Sequence, residues 1–206
     1  AGEKADICFT SPPYALGKSI KLSGNKHFKD KETPYLNHKD DSKSWINLMD
    51  DFFETSKRFV KFGHFINIQM LADNGAPSIA CNVMNSTFEF LIVFGQDESS
   101  RAIPCANWRG TIKNVYSGHG QRDNQFSDIH AATMPIHLPN FVLNDLANDS
   151  KSIFEPFGGT GTTLISCEKA GRKSYHMEID PKYCDVIIRR WQDLTGKEAV
   201  KEDGIK

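Results

Sequence analysis

The sequence contains no C-x-x-C pair. Its five cysteines, Cys8, Cys81, Cys105, Cys167 and Cys184, are odd in number and widely spaced. That pattern suggests neither a disulfide framework nor a zinc site. No charge of either sign dominates, with 25 lysines and arginines against 26 acids in 206 residues. Bulk electrostatics therefore gives no signal for nucleic acid, and any basic surface must be local. There is no long uninterrupted apolar run and no signal-peptide pattern, which points away from membrane insertion. Reduced thiols, no membrane segment and no metal site fit a cytoplasmic protein, and the length fits one domain with a real core.

What is present centres on residues 153–163, Ile153-Phe154-Glu155-Pro156-Phe157-Gly158-Gly159-Thr160-Gly161-Thr162-Thr163. An apolar run stops at a glycine-rich turn and opens into a helix, leaving backbone N–H groups unpaired at the helix start. Such a turn favours a polar or anionic small molecule. Glycine also lets a ligand approach the backbone closely. The same pattern can serve as a plain strand-to-helix connection.

Leu164, Ile165 and Cys167 continue an apolar helix face, and Gly171 is the expected stop. A strand reads from Lys173 to Glu178, ending in an acid 17 positions after Gly161. An acid at that place can hold the hydroxyls of a nucleoside ribose; the plainer alternative is a surface carboxylate. Asp180-Pro181 reads as an N-cap followed by a first-turn proline. Tyr183, Ile187, Trp191 and Leu194 share one face of the next helix, up to Gly196. Residues 153–194 thus form a strand–turn–helix–strand–helix unit that binds a nucleoside.

Near the start, Asp6-Ile7-Cys8-Phe9-Thr10 is a short strand running into Ser11-Pro12-Pro13-Tyr14. Two prolines bar helix and central sheet pairing, so the chain leaves the strand rigidly extended. This turn can hold acceptors for an exocyclic amino group while an aromatic ring stacks on its base. In isolation it equally reads as a proline-rigidified loop with a buried tyrosine.

Together, the Ser11-Pro12-Pro13-Tyr14 turn and the later Glu155-to-Thr163 segment resemble the amino-group DNA methyltransferases that use S-adenosylmethionine. The tetrapeptide precedes the cofactor turn, as in the beta class of these enzymes. That order argues against the RNA and protein-glutamine methyltransferases, which carry a similar Pro-Pro-Tyr after their glycine turn. The resemblance implies an α/β, Rossmann-like methyltransferase fold: a doubly wound, mostly parallel sheet with helices on both faces. It implies one domain in three parts, with residues 1–95 the catalytic half, 96–128 a target-recognition insertion and 129–206 the cofactor half. The catalytic set is Ser11, Pro12, Pro13 and Tyr14. The cofactor set is Glu155, Phe157, Gly159, Thr160, Gly161, Thr162 and Glu178. In it Phe157 is an apolar wall, the threonine hydroxyls lie near the carboxylate end, and Glu178 is on the ribose.

Between these parts, residues 15–43 carry seven lysines against four acids and read as a loop that closes over a nucleotide or stays solvated. Trp45, Leu48, Met49, Phe52, Phe53, Phe59 and Val60 follow helical spacing and read as core. Strands are expected over Gly63–Met70 and Phe88–Phe94. The interval Leu71–Thr87 is too short for the helix and strand the family places there. It reads as trimmed, or as lacking residues around Asp73 to Gly75, and a further strand is expected before Ala1. From Gln96 to Asp128 basic, aromatic and amide side chains interleave without a period. Arg101, Arg109, Lys113 and Arg122 are the expected contacts to double-stranded DNA, with a second protomer as a source of more. His130 to Leu143 resembles the family's His-x-x-x-x-Pro segment, with His130 a structural histidine. Glu198-Ala199-Val200 is a candidate edge strand.

The target reading leans to adenine N6 over cytosine N4. Serine at the first tetrapeptide position is commoner among cytosine-N4 enzymes, but residues 178–191 look more like adenine methylases. The alternative of another class is a non-catalytic DNA-binding subunit that keeps the fold for a partner enzyme.

Overall fold

The computed structural model describes residues 2–13, 42–68, 90–95 and 133–202. Five strands form one sheet: β1 (Ala5–Thr10), β2 (Val60–Ile68), β3 (Phe90–Gly95), β4 (Ser152–Glu155) and β5 (Lys173–His176). Their spatial order is β3-β2-β1-β4-β5. β1 pairs in parallel with β2 and β4, β4 with β5 in parallel, and β3 runs antiparallel to β2. Among the described residues there are four α-helices, α1 (Ser42–Ser56), α2 (His137–Phe141), α3 (Thr162–Lys169) and α4 (Pro181–Thr195), and α2 runs on into a π-helical turn at Val142–Leu146. This is the Rossmann-like, mostly parallel α/β arrangement.

The central strand is covered on both faces, as parallel sheets require. Ile7 and Phe9 of β1 join Phe65, Ile153, Val142, Leu143, Leu146, Ala147 and Cys167 in one core cluster. The alternate residue, Cys8, joins Val60, Ile66, Met49 and Phe52 in the other. Period-two alternation in β1 thus meets α1 on one face and the α2 and α3 layer on the opposite one.

Local chemistry sets the ends of the C-terminal elements. Asp180 caps α4 by accepting from the Lys182 N–H, with Pro181 in the first turn, and Gly196 closes the helix in the left-handed region. Gly171 has φ +65° after α3. Arg172 then folds back and donates to the carbonyls of Leu143, Ala147 and Asn148, so the end of the π-helical turn is capped by a charged fork.

Three expected boundaries shift. α1 stops at Ser56, and Phe59 and Val60 are not helical: Phe59 is half exposed and Val60 opens β2. The Ala5 N–H takes the Phe59 carbonyl at 2.9 Å, which draws the chain into the sheet. β5 ends at His176 rather than Glu178, because the chain turns there toward the glycine loop. Glu198 to Val200 form no strand; the Ala199 N–H goes to the Gln192 side chain and Val200 is almost fully exposed. Strand residues Gln69, Met70, Phe88 and Glu89, the interval 71–87, the loop 15–41 and the segment 96–132 with His130 lie outside the described residues. Among the described residues no helix is long and apolar enough to cross a membrane.

Candidate functional site

β1 and β4 are neighbours whose following connections run to opposite sides of the sheet, which makes the carboxyl ends of this pair the switch point of the fold. In open α/β sheets ligands bind at that place. β1 delivers Ser11, Pro12 and Pro13 there, and β4 delivers Glu155 and the glycine turn. Ser11 and Pro13 are half-buried and Pro12 is buried. Tyr14 lies outside the described residues. The indole N–H of Trp45, on α1, donates to the Pro13 carbonyl at 2.6 Å.

Glu155 joins the two motifs from beneath. It is 2 % exposed. One carboxylate oxygen accepts from the Thr10 hydroxyl and from the Phe157 N–H at 3.1 Å. The other accepts from the Thr163 hydroxyl at 3.0 Å. Burial pushes its carboxyl up to about 8, and the three donors act against that shift by favouring the charged form. Glu155, expected among the cofactor contacts, is a buried joint between β1, the turn and α3.

Glu178 clips the turn from the other side. Its carboxylate accepts from the Gly159 N–H at 2.6 Å and from the Asp180 N–H at 2.9 Å. Gly159 and Gly161 have φ of 53° and 80°, a region that disfavours other residues. The glycine requirement also has a packing cause that the sequence reading did not contain. A Cβ on Gly161 would lie 3.0 Å from Ile187 Cγ1, and one on Gly158 3.1 Å from the Met177 carbonyl. Two of the glycines thus let the turn sit against α4 and the end of β5.

Thr160 and Thr162 are buried, and their hydroxyls face inward. Arg190 of α4 donates to the Thr160 carbonyl at 2.5 Å, to the Thr160 hydroxyl at 3.2 Å and to the Thr162 hydroxyl at 3.4 Å. These hydroxyls, expected near a ligand, accept from the guanidinium that braces the turn. Phe157 is half-buried and its ring stands 5.6 Å from that of Phe52 on α1, so the expected apolar wall is itself packed from behind. Glu178 is half-buried, and the start of α3, itself buried at Thr162 and Thr163, has no side-chain cap among the described residues. Carboxylate for ribose hydroxyls and helix-start N–H groups for an anionic end fit a nucleoside with a carboxylate tail.

Sequence reading missed Thr10, Trp45 and Arg190. Thr10 and Trp45 each act through one long-range hydrogen bond and Arg190 through three, and none stands in a recognisable pattern. Burial alone lowers His64 and His176 to about 4, so both are neutral near pH 7. His64 meets the Ser56 hydroxyl at 2.9 Å. The Cys8 and Cys167 thiols are fully buried and held protonated by burial, Cys167 up to about 12, so neither is a nucleophile. Among the described residues no group of His, Cys, Asp and Glu could hold a metal. Arg101, Arg109, Lys113 and Arg122 lie outside the described residues.

Residues 93–189 match the amino-group (N6/N4) family described as DNA methylase, a span that includes Glu155, the glycine turn and Glu178. Type II methyltransferase M2.LlaDCHI of Lactococcus lactis subsp. cremoris is 22% identical over 221 residues, covering 91% of this chain and 82% of the relative. Among solved structures, the PvuII DNA methyltransferase, cytosine-N4-specific, aligns with TM-score 0.57 at 15% identity, over 95% of this chain and 88% of the other. The M1.HpyAVI–SAM complex aligns with TM-score 0.53 at 18% identity, over 91% of this chain and 90% of the other. At these identities the structural likeness speaks for the fold.

Proposed function

We propose, from the premise that this chain belongs to the amino-group DNA methyltransferases, that it moves a methyl group from S-adenosylmethionine to the exocyclic amino nitrogen of a base in double-stranded DNA, adenine N6 before cytosine N4. The observation that carries this reading is the Glu155 joint. Through Thr10, Thr163 and the Phe157 N–H it holds the Ser-Pro-Pro turn and the glycine turn at one sheet switch point. A reaction between a bound nucleoside cofactor and a second substrate needs that proximity.

When bound, S-adenosylmethionine supplies an electrophilic methyl group on its sulfonium sulfur. The rest is work for the chain. Glu178 uses its remaining lone pairs to accept the ribose hydroxyls, while the Gly159 and Asp180 N–H groups fix its orientation. The first N–H groups of α3 face the carboxylate tail. The Ser11 side chain and the Pro12 carbonyl accept the hydrogens of the target amino group, moving electron density onto its nitrogen. Tyr14 stacks on a base swung out of the duplex. Arg101, Arg109, Lys113 and Arg122 contact phosphates and base edges, and a second copy of the chain supplies further contacts.

Cytosine N4 is the second reading, favoured by serine at position 11. Methyl transfer from tritiated S-adenosylmethionine to unmethylated genomic DNA, followed by nucleoside mass spectrometry, tests both. N6-methyladenine supports the proposal, and N4-methylcytosine replaces the base while keeping the chemistry. No DNA product with intact cofactor binding overturns the DNA reading in favour of an RNA substrate, and no cofactor binding sinks the enzyme reading in favour of a non-catalytic DNA-binding subunit.

A further inference from the structure

We propose that Trp45 is a positioning residue for methyl transfer, whose indole N–H fixes the Pro13 carbonyl and so holds the Ser11-Pro12-Pro13 turn in place. The inference rests on the function proposed above and adds a residue to it.

The catalytic turn has an unusual shortage of handles. Pro12 and Pro13 carry no N–H, so neither can donate a backbone hydrogen bond to tie the turn down. Their rings lock φ at both positions, and trans peptide units are planar. The one soft backbone torsion left between Pro13 and the Tyr14 N is ψ of Pro13. That torsion is the orientation of the Pro13 carbonyl, the atom that Trp45 holds at 2.6 Å. Fixing this carbonyl therefore fixes the end of the Ser11-Pro12-Pro13 turn, which carries the Ser11 and Pro12 acceptors.

The donor is well anchored. Trp45, Met49 and Phe52 stand at helical spacing on α1, and the Trp45 ring packs against the cluster formed by Cys8, Met49, Phe52, Val60 and Ile66. Phenylalanine at position 45 would fill much of that space without the N–H. The same helix places Phe52 against Phe157, next to the glycine turn. One rigid helix thus touches the catalytic turn at its first half and the cofactor turn at its second, and so sets their spacing from one face of the sheet. A misplacement near 1 Å is enough to cost about a hundredfold in rate.

The test is Trp45→Phe in the full chain, with Trp191→Phe as control, because the Trp191 indole donates to Glu168 on the exposed surface. Expected for Trp45→Phe is a fall in kcat of about tenfold to a hundredfold. The Kd for S-adenosylmethionine should stay within twofold and the Tm close to that of Trp191→Phe. Unchanged kcat overturns the inference. So does a parallel loss of kcat, cofactor affinity and Tm, which would mark Trp45 as a core residue only. Should the variant fail to fold, indole N–H exchange in the 15N-tryptophan wild type decides. A slowly exchanging Trp45 N–H supports the bond, and one that exchanges as fast as free indole overturns it. A wild type that transfers no methyl group to DNA overturns the proposed function and this inference with it; an active wild type with an equally active Trp45→Phe overturns this inference alone.

Discussion

The hydroxyl of Thr10, the last residue of β1, donates to the carboxylate of Glu155, the last residue of β4, although the two stand 145 positions apart. Through this bond the strand that leads into Ser-Pro-Pro and the strand that leads into the glycine turn end at one point. A buried acid at such a joint makes the joint sensitive to pH.

Glu155 has its carboxyl pushed up to about 8 by burial, from an ordinary 4.5. The unfolded chain therefore releases this proton first, and the folded state holds more protons between these values. Stability then falls as pH rises from about 4.5 to about 8 and is level above, with a share of about 1 kcal/mol per pH unit inside that window. Glu155→Gln should lose this slope. Urea midpoints of wild type and variant at pH 6 and pH 8.5 check it; curves that stay parallel across that range would speak against a protonated Glu155.

His176 gives the opposite sign. Burial lowers it from 6.5 to about 4, and neither ring nitrogen has a hydrogen-bond partner among the described residues. The unfolded chain takes up the proton first on acidification. Its contribution is complete above about 6.5 and is lost as pH falls toward about 4. His176→Phe should be less sensitive than wild type between pH 7 and pH 5 in thermal melts, with the His64 contribution, of the same sign, remaining in both.

Arg190→Met keeps the aliphatic stem and removes the hydrogen bonds to Thr160 and Thr162. The glycine turn then loses its brace. The expected cost is about 1–3 kcal/mol of stability and a fall in S-adenosylmethionine affinity of about tenfold, since 1.4 kcal/mol lost at the turn corresponds to that factor. Isothermal titration beside chemical denaturation measures both. Arg190→Lys should restore little, because an ammonium does not reproduce the planar fork.

Gly161→Val meets two obstacles, a φ of +80° and Ile187 at 3.0 Å. Backbone strain and overpacking together should cost about 2–4 kcal/mol and abolish cofactor binding. Adding Ile187→Ala relieves the contact and leaves the φ penalty, so stability should return in part. Full recovery in the double variant would show that packing alone demands glycine there.

Much of residues 153–196 was legible from residue order because the determinants there are local. Gly161, Gly171 and Gly196 occupy left-handed backbone, and Asp180 caps a helix that starts at its neighbour. Each follows from the conformational preferences of one or two residues. The face alternation of Ile7, Cys8 and Phe9 was equally readable. The failures are instructive in the same terms. Phe59 and Val60 continued a helical spacing, yet a sheet hydrogen bond from Ala5 took the Phe59 carbonyl. Val200 sat in a strand-like run, yet among the described residues no neighbouring strand edge takes it up.

The sequence by itself determined which chemistry the chain can offer: an N–H-poor proline turn, a glycine turn opening a helix, and an acid one strand later. Only the tertiary structure decided which partners those groups take. It turned the Thr160 and Thr162 hydroxyls inward to Arg190, sank Glu155 beneath both motifs and pointed Trp45 at Pro13. Those outcomes rest on hydrogen bonds spanning tens of residues, from 28 between Arg190 and Thr162 to 145 between Thr10 and Glu155. A buried polar group must find a partner, but which partner it finds is a property of the packed sheet and helices, where distance along the chain counts for nothing.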